Sequence, residues 1–220
     1  MTANTYEQAQ FNMIEQQIRP WEVLDLQVLR LMGSMPRDAF VPEAYQGLAY
    51  ADIEIPLGNG QSMLSPKFGG RLLQALRIQP SDRVLEIGTG SGYLTACMAR
   101  LANKVLSLDT ESDFTTQAQA CLKRQGITNI ELRCADGLAD DIEDGTFDAI
   151  AVTGSMPEIP ETLKRMLTIG GRLFAVIGEA PVMEAVLITR TDAESWHSEA
   201  LFETELTPLK NVPTVEHFSF

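Results

Sequence analysis

Three glycines at every second position, Gly88, Gly90 and Gly92, follow the apolar run Val84 to Ile87 and precede a second apolar run, Leu94 to Leu101. A buried strand that stops in a glycine turn and opens directly into a helix is the first unit of an open α/β sheet. Glycine permits positive φ there and brings bare backbone against a ligand, and the helix N-terminus offers unpaired N–H groups. Spacing narrows the ligand. A dinucleotide fingerprint needs a third glycine three residues after the second, where this chain has Tyr93, too bulky for close approach to a pyrophosphate. That counts against a nicotinamide dehydrogenase. The next strand, Lys104 to Leu108, ends at Asp109, whose carboxylate can accept both hydroxyls of a ribose or cap the following helix; the glycine loop upstream favours the ribose.

Around this unit the chain alternates. Gln8 to Arg19 and Leu24 to Met32 have helical periodicity, separated by Pro20-Trp21, with Asp25 or Glu22 near the second start. Met35 to Pro42 reads as a proline-bracketed turn. Ile53 and Ile55 alternate with Asp52 and Glu54 as in a short edge strand that Pro56 ends, and Gly58-Asn59-Gly60 is a hairpin signal. Ser65-Pro66 places an N-cap serine before a first-turn proline and opens a helix over Lys67 to Leu76. Downstream come a helix from Asp113 to Gln125 stopped by Gly126, and a strand from Ile130 to Arg133 with Cys134 to Gly137 at its end. Asp136 therefore falls in the ligand crevice of such a sheet. Asp140, Asp141, Glu143 and Asp144 read as a solvated loop and not as a metal site. The strand Phe147 to Thr153 continues into a loop, Thr153 to Pro157. A helix, Pro160 to Leu167, leads through Gly170-Gly171 to the strand Arg172 to Ile177. Met183 to Thr189 and Leu201 to Leu206 form a closing hairpin.

With 220 residues, 45% of them apolar, the chain divides into an N-terminal helical appendage with an acceptor-side loop (1–66) and one integrated α/β unit (67–220). The appendage either packs or covers the cofactor. A net charge of −13 and the lack of basic runs disfavour a nucleic-acid partner. No run is long enough to span a membrane, and the N-terminus lacks the parts of a signal peptide. Cys97, Cys121 and Cys134 are odd in number and unclustered, which reads as reduced, buried thiols of a cytoplasmic protein.

Glu86-x-Gly88-x-Gly90-x-Gly92 resembles the first motif of class I S-adenosylmethionine (SAM) methyltransferases. The whole chain resembles the protein-L-isoaspartate O-methyltransferase family. The resemblance lies in Met35 to Val41, Pro56 to Gln61, Val84 to Tyr93, Asp136-Gly137, Phe147 to Ile150, Pro157 to Pro160, Gly170 to Leu173 and Thr207-Pro-Leu-Lys210. It implies a Rossmann-like, doubly wound, mostly parallel sheet and SAM as cofactor, with S-adenosylhomocysteine as product. It also implies cofactor contacts from Glu86, Gly88, Thr89, Gly90, Ser91, Gly92, Asp109, Thr110 and Thr153, with Asp136 and Gly137 at the adenine. The acceptor it implies is a carboxylate of a peptide or protein, or a small carboxylate.

The chain departs from the family at one place. The family reads Gly-Gln-Thr-Ile-Ser-x-Pro, with the serine assigned to the acceptor carboxylate; here Leu64 stands in its place, with Ser62 at the family threonine and Ser65 one residue nearer the proline. Ser62 and Ser65 are thus the candidate acceptor-side hydroxyls. Isoaspartyl turnover is expected to be weak unless the Ser65 hydroxyl turns inward at the expense of the helix cap. Methyl transfer to a carboxylate needs no general base, which fits a chain whose only histidines are His197 and His217. The rival readings are a related enzyme with a different acceptor and a SAM-binding module without activity.

Overall fold

The computed structural model describes residues 3–139, 142 and 145–212. Helix α1 (Ala3–Asn12) runs on through a π-helical stretch, Met13–Ile18, and a 3-10 turn, Arg19–Trp21, that contains Pro20. Helix α2 (Leu26–Met32) is capped by Asp25, whose side chain accepts from the N–H groups of Gln27 and Val28. A separate two-stranded hairpin follows, β1 (Ile55–Gly58) and β2 (Gln61–Met63), and then helix α3 (Pro66–Leu76). The remainder alternates: β3 (Arg83–Ile87), α4 (Tyr93–Leu101), β4 (Lys104–Asp109), α5 (Ser112–Arg124), β5 (Ile130–Cys134), β6 (Phe147–Met156), α6 (Glu161–Arg165), β7 (Leu167–Glu179), β8 (Val182–Asp192) and β9 (Ser195–Glu203).

The strands β3 to β9 form one sheet in the order β5-β4-β3-β6-β7-β8-β9, parallel through β7 and antiparallel at β8 and β9. The chain leaves β3 toward β4 and β5, then returns to the other side of β3 with β6. The order therefore reverses beside β3, which places a crevice at the carboxyl ends of β3, β4 and β6. Alternate strand residues enter two cores. Val84, Val105, Ala149 and Phe174 pack with α3, α4, α5 and the N-terminal helices, so Met13, Ile18, Val28 and Met32 share a core with the sheet. Leu85, Leu106, Ile150 and Leu173 pack on the opposite face with Leu163 of α6.

Several sequence-based boundaries move. The edge strand begins at Ile55 instead of ending there, and Pro56 lies inside it; this is tolerated because the hairpin has only two strands. Ile53 is exposed. The Gly58-Asn59-Gly60 turn forms as expected, with all three residues at positive φ. Strand β6 extends through Gly154 and Ser155 to Met156, where a loop was expected, because Ser155 finds backbone partners in Thr207 and Leu209 as well as in β7. Gly170 and Gly171 sit inside β7, and β9 starts before Leu201. The cysteines are all free, but Cys134 is exposed rather than buried, because it ends the edge strand β5. The acidic residues 140, 141, 143 and 144 and His217 lie outside the described residues. No helix of the described residues is long and apolar enough to cross a membrane.

Candidate active site

Register builds the site. Glu86 pairs with Ser107 across β3 and β4, and both point to the face that α4 covers. The fully buried Glu86 Oε2 accepts from Thr95 Oγ1 at 2.5 Å and from Ser107 Oγ at 2.6 Å, while Oε1 has no partner. Ser107 spends its hydrogen on Glu86, so the 2.6 Å contact between Ser107 and Thr89 is donated by Thr89, which pins the glycine loop to β4. Burial pushes the Glu86 carboxyl up to about 8; the two hydroxyl bonds oppose this and the nearby Asp109 charge adds to it. At neutral pH Glu86 is mostly protonated.

Asp109 ends β4 one position beyond the last residue of β3. Its Oδ2 accepts from Gly90 N at 2.8 Å and its Oδ1 from Glu111 N at 2.9 Å. It therefore orders the glycine loop and leaves one lone pair on each oxygen facing outward. Gly88 adopts φ +97, and a Cβ there would overlap the Thr153 hydroxyl, which donates to the carbonyls of Ile87 and Gly88. A Cβ at Gly137 would lie 2.7 Å from Ile87 Cγ2. Asp136 accepts from Leu138 N and from Asn211 Nδ2, both at 2.9 Å.

These residues surround one cavity that opens at the carboxyl ends of β3, β4 and β6. Glu86, Gly88, Thr89, Gly90, Ser91, Asp109, Thr110, Asp136, Gly137 and Thr153 all line it, together with Ser62 and Ser65 on the hairpin side. Gly92 does not. It turns the chain into α4 at φ +81, where a Cβ would meet Ala118 Cβ at 2.8 Å. Ser65 occupies the N-cap position of α3, yet its hydroxyl makes no cap bond and has no hydrogen-bond partner among the described residues. The expected serine cap is absent, and Ser65 lines the cavity. Leu64, 9% exposed, lines the cavity beside it. Among the described residues no three histidine, cysteine, aspartate or glutamate side chains come together to hold a metal ion.

Sequence reasoning passed over Arg37, Leu57, Glu111, Leu209 and Lys210, which also line the cavity. Lys210 pairs with Glu111, which also accepts from Asn59 Nδ2 at 2.7 Å. Glu111 thus ties the β1–β2 turn and the C-terminal segment to the end of β4. Arg37 and Lys210 fall inside stretches that carried the family resemblance, which was the one signal available for them.

The sequence profile of the protein-L-isoaspartate(D-aspartate) O-methyltransferase family matches residues 8–212. The chain belongs to this family. A Magnetococcus marinus protein-L-isoaspartate O-methyltransferase is 40% identical over 185 residues, covering 84% of this chain and 81% of that protein. The protein of the same name from Nitrosomonas eutropha is 43% identical over 164 residues, 73% of each chain. A Plasmodium falciparum structure described as the same methyltransferase, in complex with S-adenosyl-L-homocysteine, superposes with a TM-score of 0.77. It is 24% identical, over 93% of this chain and 98% of that one, so the likeness is one of fold. As a family member this protein is a SAM-dependent O-methyltransferase.

Proposed function

We propose that the chain transfers the methyl group of SAM to the side-chain carboxylate of an isoaspartyl residue in a peptide or protein, and that Ser65 supplies the hydroxyl that positions this carboxylate. The observation that carries the reading is that Ser65 lines the cavity while its hydroxyl makes neither the cap bond nor another hydrogen bond among the described residues, one residue along from Leu64. This favours the alternative to the weak turnover expected from Leu64, in which Ser65 stands in for the family's serine. The family's serine is displaced by one position, not lost.

The residues present fit the cofactor. Outward lone pairs on Asp109 suit two ribose hydroxyls, Asp136 and Gly137 lie at the adjacent strand end for the adenine, and Gly88 and Gly90 expose backbone along the amino-acid part, flanked by Thr89, Ser91, Thr110 and Thr153. When bound, SAM supplies a methyl on a sulfonium that is displaced in line. The protein's part is to hold the acceptor oxygen on that line and keep water away from it. Leu57, Leu64, Leu94 and Leu209 provide apolar walls for this purpose. An acceptor carboxylate is already ionised at pH 7, so no base is required. His197, exposed on β9, does not line the cavity. The −13 charge supports a polypeptide acceptor over a nucleic acid.

The test is methyl transfer from labelled SAM to a peptide containing isoaspartate and to its aspartyl isomer. Selective labelling of the isoaspartyl peptide is expected, with Ser65→Ala lowering the rate by about 10²-fold, as for a removed positioning donor. Equal labelling of both peptides overturns the acceptor assignment. Full activity in Ser65→Ala overturns the role of Ser65.

A further inference from the structure

We propose that Arg37 is a carboxylate-binding residue of this cavity, its guanidinium receiving a ligand carboxylate at the Leu64–Ser65 end. The inference rests on reading the cavity as a methyl-transfer site, where two ligand carboxylates meet: the α-carboxylate of SAM and the carboxylate of the acceptor.

Arg37 is 1% exposed. Its Nε donates to Ala49 O and its Nη2 to Leu64 O, both at 2.8 Å. A guanidinium has five N–H groups, so three remain, and they have no partner among the described residues. The Tyr93 ring lies 5.0 Å from the guanidinium carbon. No ion pair of the described residues includes Arg37; Asp52 acts on it electrostatically, but Asp52 Oδ2 pairs with Lys67 at 2.9 Å and its Oδ1 makes no bond to the guanidinium. Buried cations are ordinarily paired with an anion. Here the protein provides the cation and a cavity, and no carboxylate of the described residues bonds the guanidinium.

The charges on the cavity wall are sorted by sign. Asp109, Glu111 and Asp136 stand at or just beyond the carboxyl ends of β4 and β5, on the side proposed for the ribose and adenine. The basic lining residues are Arg37 and Lys210, and Lys210 is already paired with Glu111. Arg37 is thus the cation left for a ligand, and its bond to the Leu64 carbonyl sets it directly behind the acceptor-side wall. Ser65, whose hydroxyl makes no hydrogen bond among the described residues, and Tyr93, whose buried hydroxyl makes none, line the same cavity. Burial lowers the Arg37 pKa, the direction expected of a cation that lacks a counter-charge. A planar guanidinium is suited to carboxylate in a way that an ammonium is not.

The experiment compares S-adenosylhomocysteine with its analogue lacking the α-carboxylate, by calorimetry, on wild type, Arg37→Gln and Arg37→Lys. The Michaelis constant for an isoaspartyl peptide is measured on the same three proteins. If Arg37 holds the donor, wild type prefers the carboxylate-bearing ligand by about 10- to 100-fold and Arg37→Gln loses that preference. If it holds the acceptor, the preference is unchanged, the peptide KM rises at least about 10-fold in Arg37→Gln, and Arg37→Lys recovers part of it. A clamp between Ala49 and Leu64 alone would weaken both nucleosides equally and leave the peptide KM alike in the two variants; that result, or no change at all, refutes the inference. Should Arg37→Gln not fold, a wild-type co-structure with S-adenosylhomocysteine and the peptide decides. A carboxylate against the guanidinium is expected, and one that meets only Ala49 O, Leu64 O and water overturns the inference. Wild type that binds neither nucleoside refutes the methyl-transfer reading itself, and is thereby distinguished from a failure of Arg37.

Discussion

Replacing Glu86 with glutamine tests the buried network beneath the glycine loop. The folded-state carboxyl titrates at about 8 against 4.5 for the free group. Between those values the unfolded chain has released its proton and the folded chain has kept it, so the stability this residue contributes is full below pH 4.5 and is lost as pH rises toward 8. Each pH unit in that window removes on the order of 1 kcal/mol, so raising pH from 5.5 to 7.5 costs wild type roughly 2–3 kcal/mol through Glu86 alone. The Glu86→Gln variant cannot ionise, and its amide oxygen can still accept from Thr95 and Ser107. Urea unfolding of both proteins at constant ionic strength isolates the difference, since every other titrating group cancels. The variant should gain roughly 2–3 kcal/mol on wild type across that interval. A difference that stays constant with pH would refute the reasoning, because it would mean that Glu86 ionises normally despite full burial.

Three further outcomes follow from the site and its supports. Asp109→Ala removes the loop's anchor and the carboxylate proposed to accept from the ribose, and should weaken S-adenosylhomocysteine by about 1.5–3 kcal/mol in calorimetry; an unchanged affinity would contradict the assignment. Gly88→Ala forces an L side chain to φ +97 and into the Thr153 hydroxyl, so it should cost more than about 2 kcal/mol in a chemical melt, whereas a melt like wild type would show that the loop is slack. Asp25→Ala deletes a cap made to two N–H groups and should cost about 1 kcal/mol without changing the affinity for S-adenosylhomocysteine; a change in that affinity would mean that α2 communicates with the cavity.

What was legible in the sequence is what short-range chemistry determines. The strand, glycine turn and helix from Val84 to Leu101 were readable because burial period and turn chemistry are local, and Asp109 and Asp136 followed from their places at strand ends. The hairpin turn at Gly58-Asn59-Gly60 was readable for the same reason. The misreadings depend on distant partners. Strand β6 outlasts its own signal because Thr207 and Leu209 pair with Ser155. Ser65 carries every local mark of an N-cap, and its hydroxyl nevertheless makes no cap bond. Arg37 looked like part of a turn, and only the tertiary fold shows that its guanidinium is enclosed between Ala49, Leu64 and Tyr93.

The segment that pairs with Ser155 gives the site an order in time as well as in space. Leu206 to Lys210 comes after the last strand of the sheet, yet Leu209 and Lys210 wall the cavity and Asn211 holds Asp136. A chain still emerging from the ribosome can have all seven strands of the large sheet available and still lack that wall. That wall therefore arrives late in synthesis, after the sheet, and a product cut short at residue 203 would have every strand of the sheet but neither Leu209 and Lys210 on the cavity nor Asn211 on Asp136.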